Sequence, residues 1–169
     1  MPTNFYWFFI AALVPLMVGS LYYGPILGKA WMSANNLTEK DLDDGRLPRI
    51  LALTYVMGLF IAFFMPVVAI HQGSVFALMM PEVMESGSAA QATFNSLMAD
   101  YGDSYRSFSH GAIHGIMLAL LLVWPVLSIN AMFERAGWKY VAIHVGYWVI
   151  TLALMGGLLC QFLDYPLPS

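Results

Sequence analysis

Apolar residues in this chain do not alternate with polar ones at a strand or amphipathic-helix period. They come as four long runs, over residues 5–24, 48–70, 109–133 and 138–162, separated by polar stretches of unequal length. A helix rises about 1.5 Å per residue and a bilayer's hydrocarbon core is about 30 Å thick, so runs of this length predict membrane-crossing helices. The best-defined one lies within Ser109 to Glu134: it is apolar through Trp124, and its unusual polar groups sit near its two ends. The predicted fold class is all-α, a single transmembrane domain over residues 1–169 with four transmembrane helices in one bundle.

The connecting segments refine that picture. The first run follows Met1 to Asn4, which lack the basic residues of a signal peptide, so it is expected to be retained. Pro15, in its middle, leaves the Ala11 carbonyl without its usual partner, which neighbouring helices have to repair. Tyr22-Tyr23-Gly24-Pro25 reads as interfacial aromatics followed by a helix stop, with Gly24 and Gly28 as turn residues. In the polar loop 29–47, Thr38-Glu39-Lys40-Asp41 has the pattern of a capping box that opens a helix of one or two turns. Pro48 suits the first turn of the second span, and Pro66 predicts a kink or a stop near its far end. Residues 71–108 are too long for a simple turn. There Ala90, Phe94, Leu97 and Tyr101 recur at helical spacing, with Ser86 or Ser88 as cap and Gly102 as terminator, and they predict a short amphipathic helix that lies on the membrane or lids the bundle. Residues 73–84, broken by Pro81, are expected to form a second interfacial piece or to extend the second span. Residues 135–139 make a tight hairpin, and residues 163–169 are a proline-bearing tail.

Composition agrees about the solvent. Hydrophobic residues make up 60% and charged residues 10% of the 169, with mean hydropathy +0.69; a soluble domain carries about 25% charge. Net charge −3 provides no basic patch for phosphates, so a nucleic-acid partner is excluded and the lipid bilayer is the expected one. A single cysteine, Cys160, cannot form an internal disulfide. Lys29, Lys40, Arg46, Arg49, Arg135 and Lys139 flank the first loop and the last hairpin, whereas the 71–108 loop has only Arg106. Cytoplasmic loops retain Lys and Arg, so loop 29–47 is assigned to the cytoplasm, and loop 71–108 and both termini to the periplasmic side of a bacterial inner membrane.

That orientation sorts the polar residues into two groups. His71, His110 and His114 fall at the outer ends of the second and third spans, and the i, i+4 spacing of the last two can offer two imidazoles to one metal ion, with His71 as a third. No carboxylate accompanies them. The simplest reading is therefore interfacial imidazoles satisfied by carbonyls or water, with no cofactor; a metal site and axial ligation of haem are the alternatives. Gly111 and Gly115, interleaved with the histidines, form a small-residue step for close helix packing, as do Gly156 and Gly157 in the last span. On the inner side, folding the hairpin about Ala136 sets His144 beside Ser128 and brings Asn130 and Glu134 within about two turns. Tyr23, Asn130, Glu134 and His144 then form an expected structural polar cluster, in which Glu134 anchors the inner end through Tyr, His or Arg donors. A proton or substrate path is its alternative. Trp124 and Trp148 are expected to pack or to face lipid.

Tyr22-Tyr23-Gly24-Pro25 leading to Gly28-Lys29-Ala30-Trp31-Met32, then Leu37-Thr38-Glu39, resembles the first-loop pattern of an uncharacterised bacterial family of small four-helix membrane proteins, the domain-of-unknown-function family DUF1761. His110-Gly111-x-x-His114-Gly115, Asn130-x-x-Phe133-Glu134-Arg135, Gly146-Tyr147-Trp148 and Met155-Gly156-Gly157 are similar to its third-helix and closing segments. The resemblance implies a four-helix fold in a membrane and no established activity.

No nucleophile–base pair or phosphate loop marks an enzyme. The leading expectation is a non-catalytic integral membrane protein, a homo-oligomer or an accessory subunit of a larger membrane complex. A small oligomeric transporter or channel using the polar groups of helices 3 and 4 comes next, and metal or haem binding through the outer histidines last.

Overall fold

A computed structural model describes residues 3–43 and 45–164, which leaves most of the expected tail, 165–169, outside the described residues. These residues form helices and turns with no strand among them: α1 (Tyr6–Ala11), α2 (Val14–Leu21), α3 (Gly28–Ala34), α4 (Glu39–Leu42), α5 (Leu47–Ala69), α6 (His71–Leu78), α7 (Ala89–Tyr101), α8 (Phe108–Leu118), α9 (Trp124–Phe133) and α10 (Trp138–Phe162). Four stretches are long and apolar enough to cross a membrane: Tyr6–Ile26, Leu47–Ala69, Phe108–Phe133 and Trp138–Phe162.

Prolines break two of these spans and leave the others nearly continuous. The first breaks between α1 and α2, just ahead of Pro15, and Tyr147 on α10 donates its hydroxyl to the carbonyl of Pro15 itself at 3.0 Å, which ties the last span to this break but does not serve the Ala11 carbonyl. At Tyr22–Ile26 the helical backbone is interrupted, as the glycine and proline suggested: Gly24 leaves helical geometry at φ −93° and ψ −108°, the Leu27 amide closes a wide turn on the Tyr22 carbonyl at 2.8 Å, and α3 begins beyond the kink. The third span stays helical through a π turn at Ala119–Val123, ahead of Pro125: a proline has no amide to give, and the wider turn absorbs the missing bond. In α5 the helix runs past Pro66 to Ala69 and breaks at Ile70, whose extended backbone lets α6 start in a new direction at His71.

The last span is the hub. Half of its apolar window is buried, against 17–22% for the other three. It packs along α8, backbone against backbone. A Cβ added at Gly111 would lie 2.6 Å from the Gly156 carbonyl carbon, one at Gly115 would lie 2.8 Å from the Ala153 nitrogen, and one at Gly157 would enter the Phe108 ring. Ala62, Met65, Leu152, Met155 and Leu159 fill the core beside this crossing. Because lipid is as apolar as leucine, such close approach, rather than hydrophobicity, is what holds helices together in a bilayer. The four glycines expected to pack helices do so within one chain.

Outside the bundle, α6, a short 3-10 turn at Glu82–Met84 and α7 fold around a small core of their own, Val83, Phe94 and Met98 with Val75, Phe76 and Met79. The predicted amphipathic helix is therefore present and capped by Ser88, but its inner face is Phe94 and Met98, with Tyr101 turned outward. At the other end, Thr38 and Asp41 close the expected capping box of α4. Thr38 donates both its hydroxyl and its amide to Asp41, and this holds the Asp41 carboxyl below its ordinary range. Near the chain ends, Asn4 bonds the Phe162 carbonyl at 2.7 Å and receives the Asp164 amide at 2.9 Å, which puts both at the same end of the bundle as the 71–108 cap.

Candidate metal centre

Two helices, α6 and α8, bring the outer histidines together. The break at Ile70 turns His71, the first residue of α6, back toward α8. On α8, His110 and His114 sit one turn apart, behind Ser107, whose side chain caps the helix through the His110 amide. One ring nitrogen from each of the three imidazoles lies within 4.8 Å of the others. The Nε2 atoms of His71 and His110 are 3.1 Å apart and share a hydrogen bond, and the His110 and His114 rings pack at 4.5 Å between centroids. His71 is exposed and the other two are half-buried, so the group opens on the surface of the chain.

A tetrahedral ion with metal–nitrogen bonds of about 2.0–2.1 Å holds its ligand atoms about 3.4 Å apart. The His71–His110 spacing is already close to that, and the widest spacing contracts to it by about 1.4 Å, within reach of side-chain rotation. An ion held at both Nε2 atoms would require both rings to carry their proton on Nδ1, and it would take the place of the proton that the two imidazoles share.

Sequence reasoning missed one residue at this site. Tyr105 packs its ring against His110, 5.1 Å between centroids, and edge-on against His71 at 6.2 Å, with its backbone in the left-handed region at φ 62°. Its loop is tied down from several sides. The Gln72 amide donates to the carbonyls of Tyr101, Gly102 and Ser104, the Cys160 thiol to that of Tyr105, and the Arg106 guanidinium to that of Leu163. No spacing or composition announced this contact.

A family model described as a protein of unknown function (DUF1761) matches residues 7–160, nearly the whole chain and all three histidines. The chain belongs to that family. No curated protein and no solved structure matches it.

At the inner end, the DUF1761 chain divides the expected polar cluster. The Tyr23 hydroxyl and His144 Nδ1 are 3.0 Å apart, inside an aromatic group with Trp31, Tyr140 and Tyr147. Asn130 and Glu134 do not join them. Both are exposed, and Glu134 has no side-chain partner among the described residues, so the expected anchor is not formed. Glu134 stands at the C-terminal end of α9, where the helix's free carbonyls repel a carboxylate, and water is the better surrounding. The hairpin is closed instead by backbone. Arg135 adopts φ 58°, and the Ala136 and Arg135 amides bond the Ala131 and Met132 carbonyls at 2.8 and 3.3 Å. His144 Nε2 and Ser128 Oγ, equidistant from Ala136 in sequence, are each enclosed without a partner.

Proposed function

We propose that this protein binds one divalent transition ion of the zinc or copper class at the periplasmic end of a four-helix bundle in a bacterial inner membrane. The observation that carries this reading is the convergence of three imidazole nitrogens from two separate helices, α6 and α8, to within 4.8 Å of one another. Imidazole is a preferred ligand for such ions, and three ligands with an open side leave a position for water or an exchanging ligand. Haem suits the group less well: a porphyrin needs a slot between its axial rings, and His71 and His110 are in contact at 3.1 Å. The distribution of Lys and Arg supports the orientation, with both termini and the cap outside. Between the histidines and the inner Tyr23–His144 pair the core is apolar apart from Thr151, which favours an ion held at the outer face over one conducted through the bundle. The packing glycines are used within the chain, so this reading does not call for a second copy.

The test is titration of metal-free protein in detergent with Zn²⁺, Cu²⁺ and Mg²⁺, with bound metal counted after gel filtration. One equivalent of Zn²⁺ or Cu²⁺ and no Mg²⁺ is expected, with loss in each of His71→Gln, His110→Gln and His114→Gln. Stoichiometric binding that survives the triple variant, or no binding by the folded wild type, refutes the proposal.

A further inference from the structure

We infer that Tyr105 is the positioning residue of the three-histidine site: its ring, clamped over His71 and His110 by a strained and anchored loop, holds the imidazoles in the orientations from which they converge on one ion. This rests on the metal-binding reading of the site and extends it.

The first support is backbone conformation. A tyrosine at φ 62° sits in a region that L-residues rarely adopt, and such strain persists only where the surroundings over-determine it. Here they do. The Gln72 amide, next to His71 in sequence, takes the carbonyls of Tyr101, Gly102 and Ser104, while the Cys160 thiol takes that of Tyr105 itself at 3.4 Å. These anchors fix the loop without using the phenol ring. Tyr105 as a whole is 69% exposed, so burial does not explain its placement.

The second support is what the ring touches. It contacts two of the three imidazoles, one tilted at 5.1 Å and one edge-on at 6.2 Å. His71 is otherwise exposed, and its described partners are the other two histidines and this ring. Groups that orient metal-ligating histidines commonly change affinity by about 10- to 100-fold when removed.

Replacement by glycine separates this role from a structural one, because glycine relaxes the backbone while it deletes the ring. The experiment compares wild type, Tyr105→Phe, Tyr105→Gly and Tyr105→Asn for Zn²⁺ affinity, thermal midpoint and the rate at which diethylpyrocarbonate modifies His71 and His110, with the enclosed His144 as internal reference. Tyr105→Phe is expected to keep affinity within about threefold. Tyr105→Gly and Tyr105→Asn are expected to lose about 10-fold or more, with midpoints equal to or above wild type and faster modification of His71 and His110. Wild-type Zn²⁺ affinity in Tyr105→Gly, or an equal loss in Tyr105→Phe, overturns the inference. Should the wild type take no Zn²⁺, the metal-binding reading fails separately, and the modification rates decide: unchanged rates in Tyr105→Gly overturn the positioning role, and faster rates sustain it.

Discussion

Replacing Gly115 by alanine probes the contact on which the bundle depends. The added methyl would stand 2.8 Å from the Ala153 nitrogen and closer still to the Leu152 carbonyl, all backbone atoms that cannot rotate away. Ordinary carbon contacts need about 3.5 Å or more, so α8 and α10 have to part by roughly 1 Å near this point. A gap of that size forfeits up to about half of each dispersion well, and a crossing with about as many atom pairs as one buried leucine, roughly 40 at 0.15 kcal/mol each, loses about 3 kcal/mol. That lies at the upper end of the usual cost of overpacking, about 1–3 kcal/mol. Reversible unfolding in mixed micelles, followed by circular dichroism, measures it. Gly73→Ala is the control: a Cβ there meets nothing within 4 Å, and in α6 alanine should stabilise by up to about 1 kcal/mol. Destabilisation of Gly115→Ala by less than about 0.5 kcal/mol would mean that the helices do not meet backbone to backbone, and the account of the hub would be wrong.

Other perturbations test separate features. Arg135→Gly should raise stability by about 0.5–1 kcal/mol, since the left-handed cap of α9 then carries no side-chain penalty; a loss in the same unfolding assay would contradict the cap geometry. Tyr23→Phe should cost about 1–2 kcal/mol by leaving His144 without its bond, and the double variant Tyr23→Phe/His144→Phe should cost less than the sum of the single changes; strict additivity would show that the pair does not interact. The Asp41 carboxyl is held below its ordinary value by the Thr38 hydroxyl and amide, so the capping box should be fully present above pH of about 4 and be lost only as pH falls through the lowered value. The Thr38 amide resonance should titrate below the model carboxylate, and a midpoint at or above it would exclude the bond.

The four spans, the capping box of α4 and the helix over the cap were legible because each rests on short-range rules: run length, the Thr38–Asp41 spacing, and Ser88 ahead of a helical repeat. Helix rotation was not legible. A lipid-facing span is apolar on every side, so nothing in its composition says which face meets a neighbour, and the glycines that decide it reveal their partners only in three dimensions. That is why Glu134 was expected among donors and is exposed, while His144 found Tyr23. At the outer site all three histidines were named from the sequence, His110 and His114 by their i, i+4 spacing and His71 as a third; what could not be read was the extended backbone at Ile70 that turns His71 toward them, and the arrival of Tyr105 on a left-handed residue with no glycine to announce it.

The burial of α10 has a consequence for how the protein is made. The span that the other three share is also the last of the four to be synthesised, so the earlier spans enter the bilayer before their common partner exists. Each is hydrophobic enough to wait there as an independent helix, with hydropathies of 1.6, 2.3 and 2.2. Assembly is then a lateral event that follows insertion, triggered when Gly156 and Leu152 come within reach of α8. Until that moment His71 and His110 belong to helices with little to hold them in register, so the three-histidine cluster forms only after translation of the hub is complete.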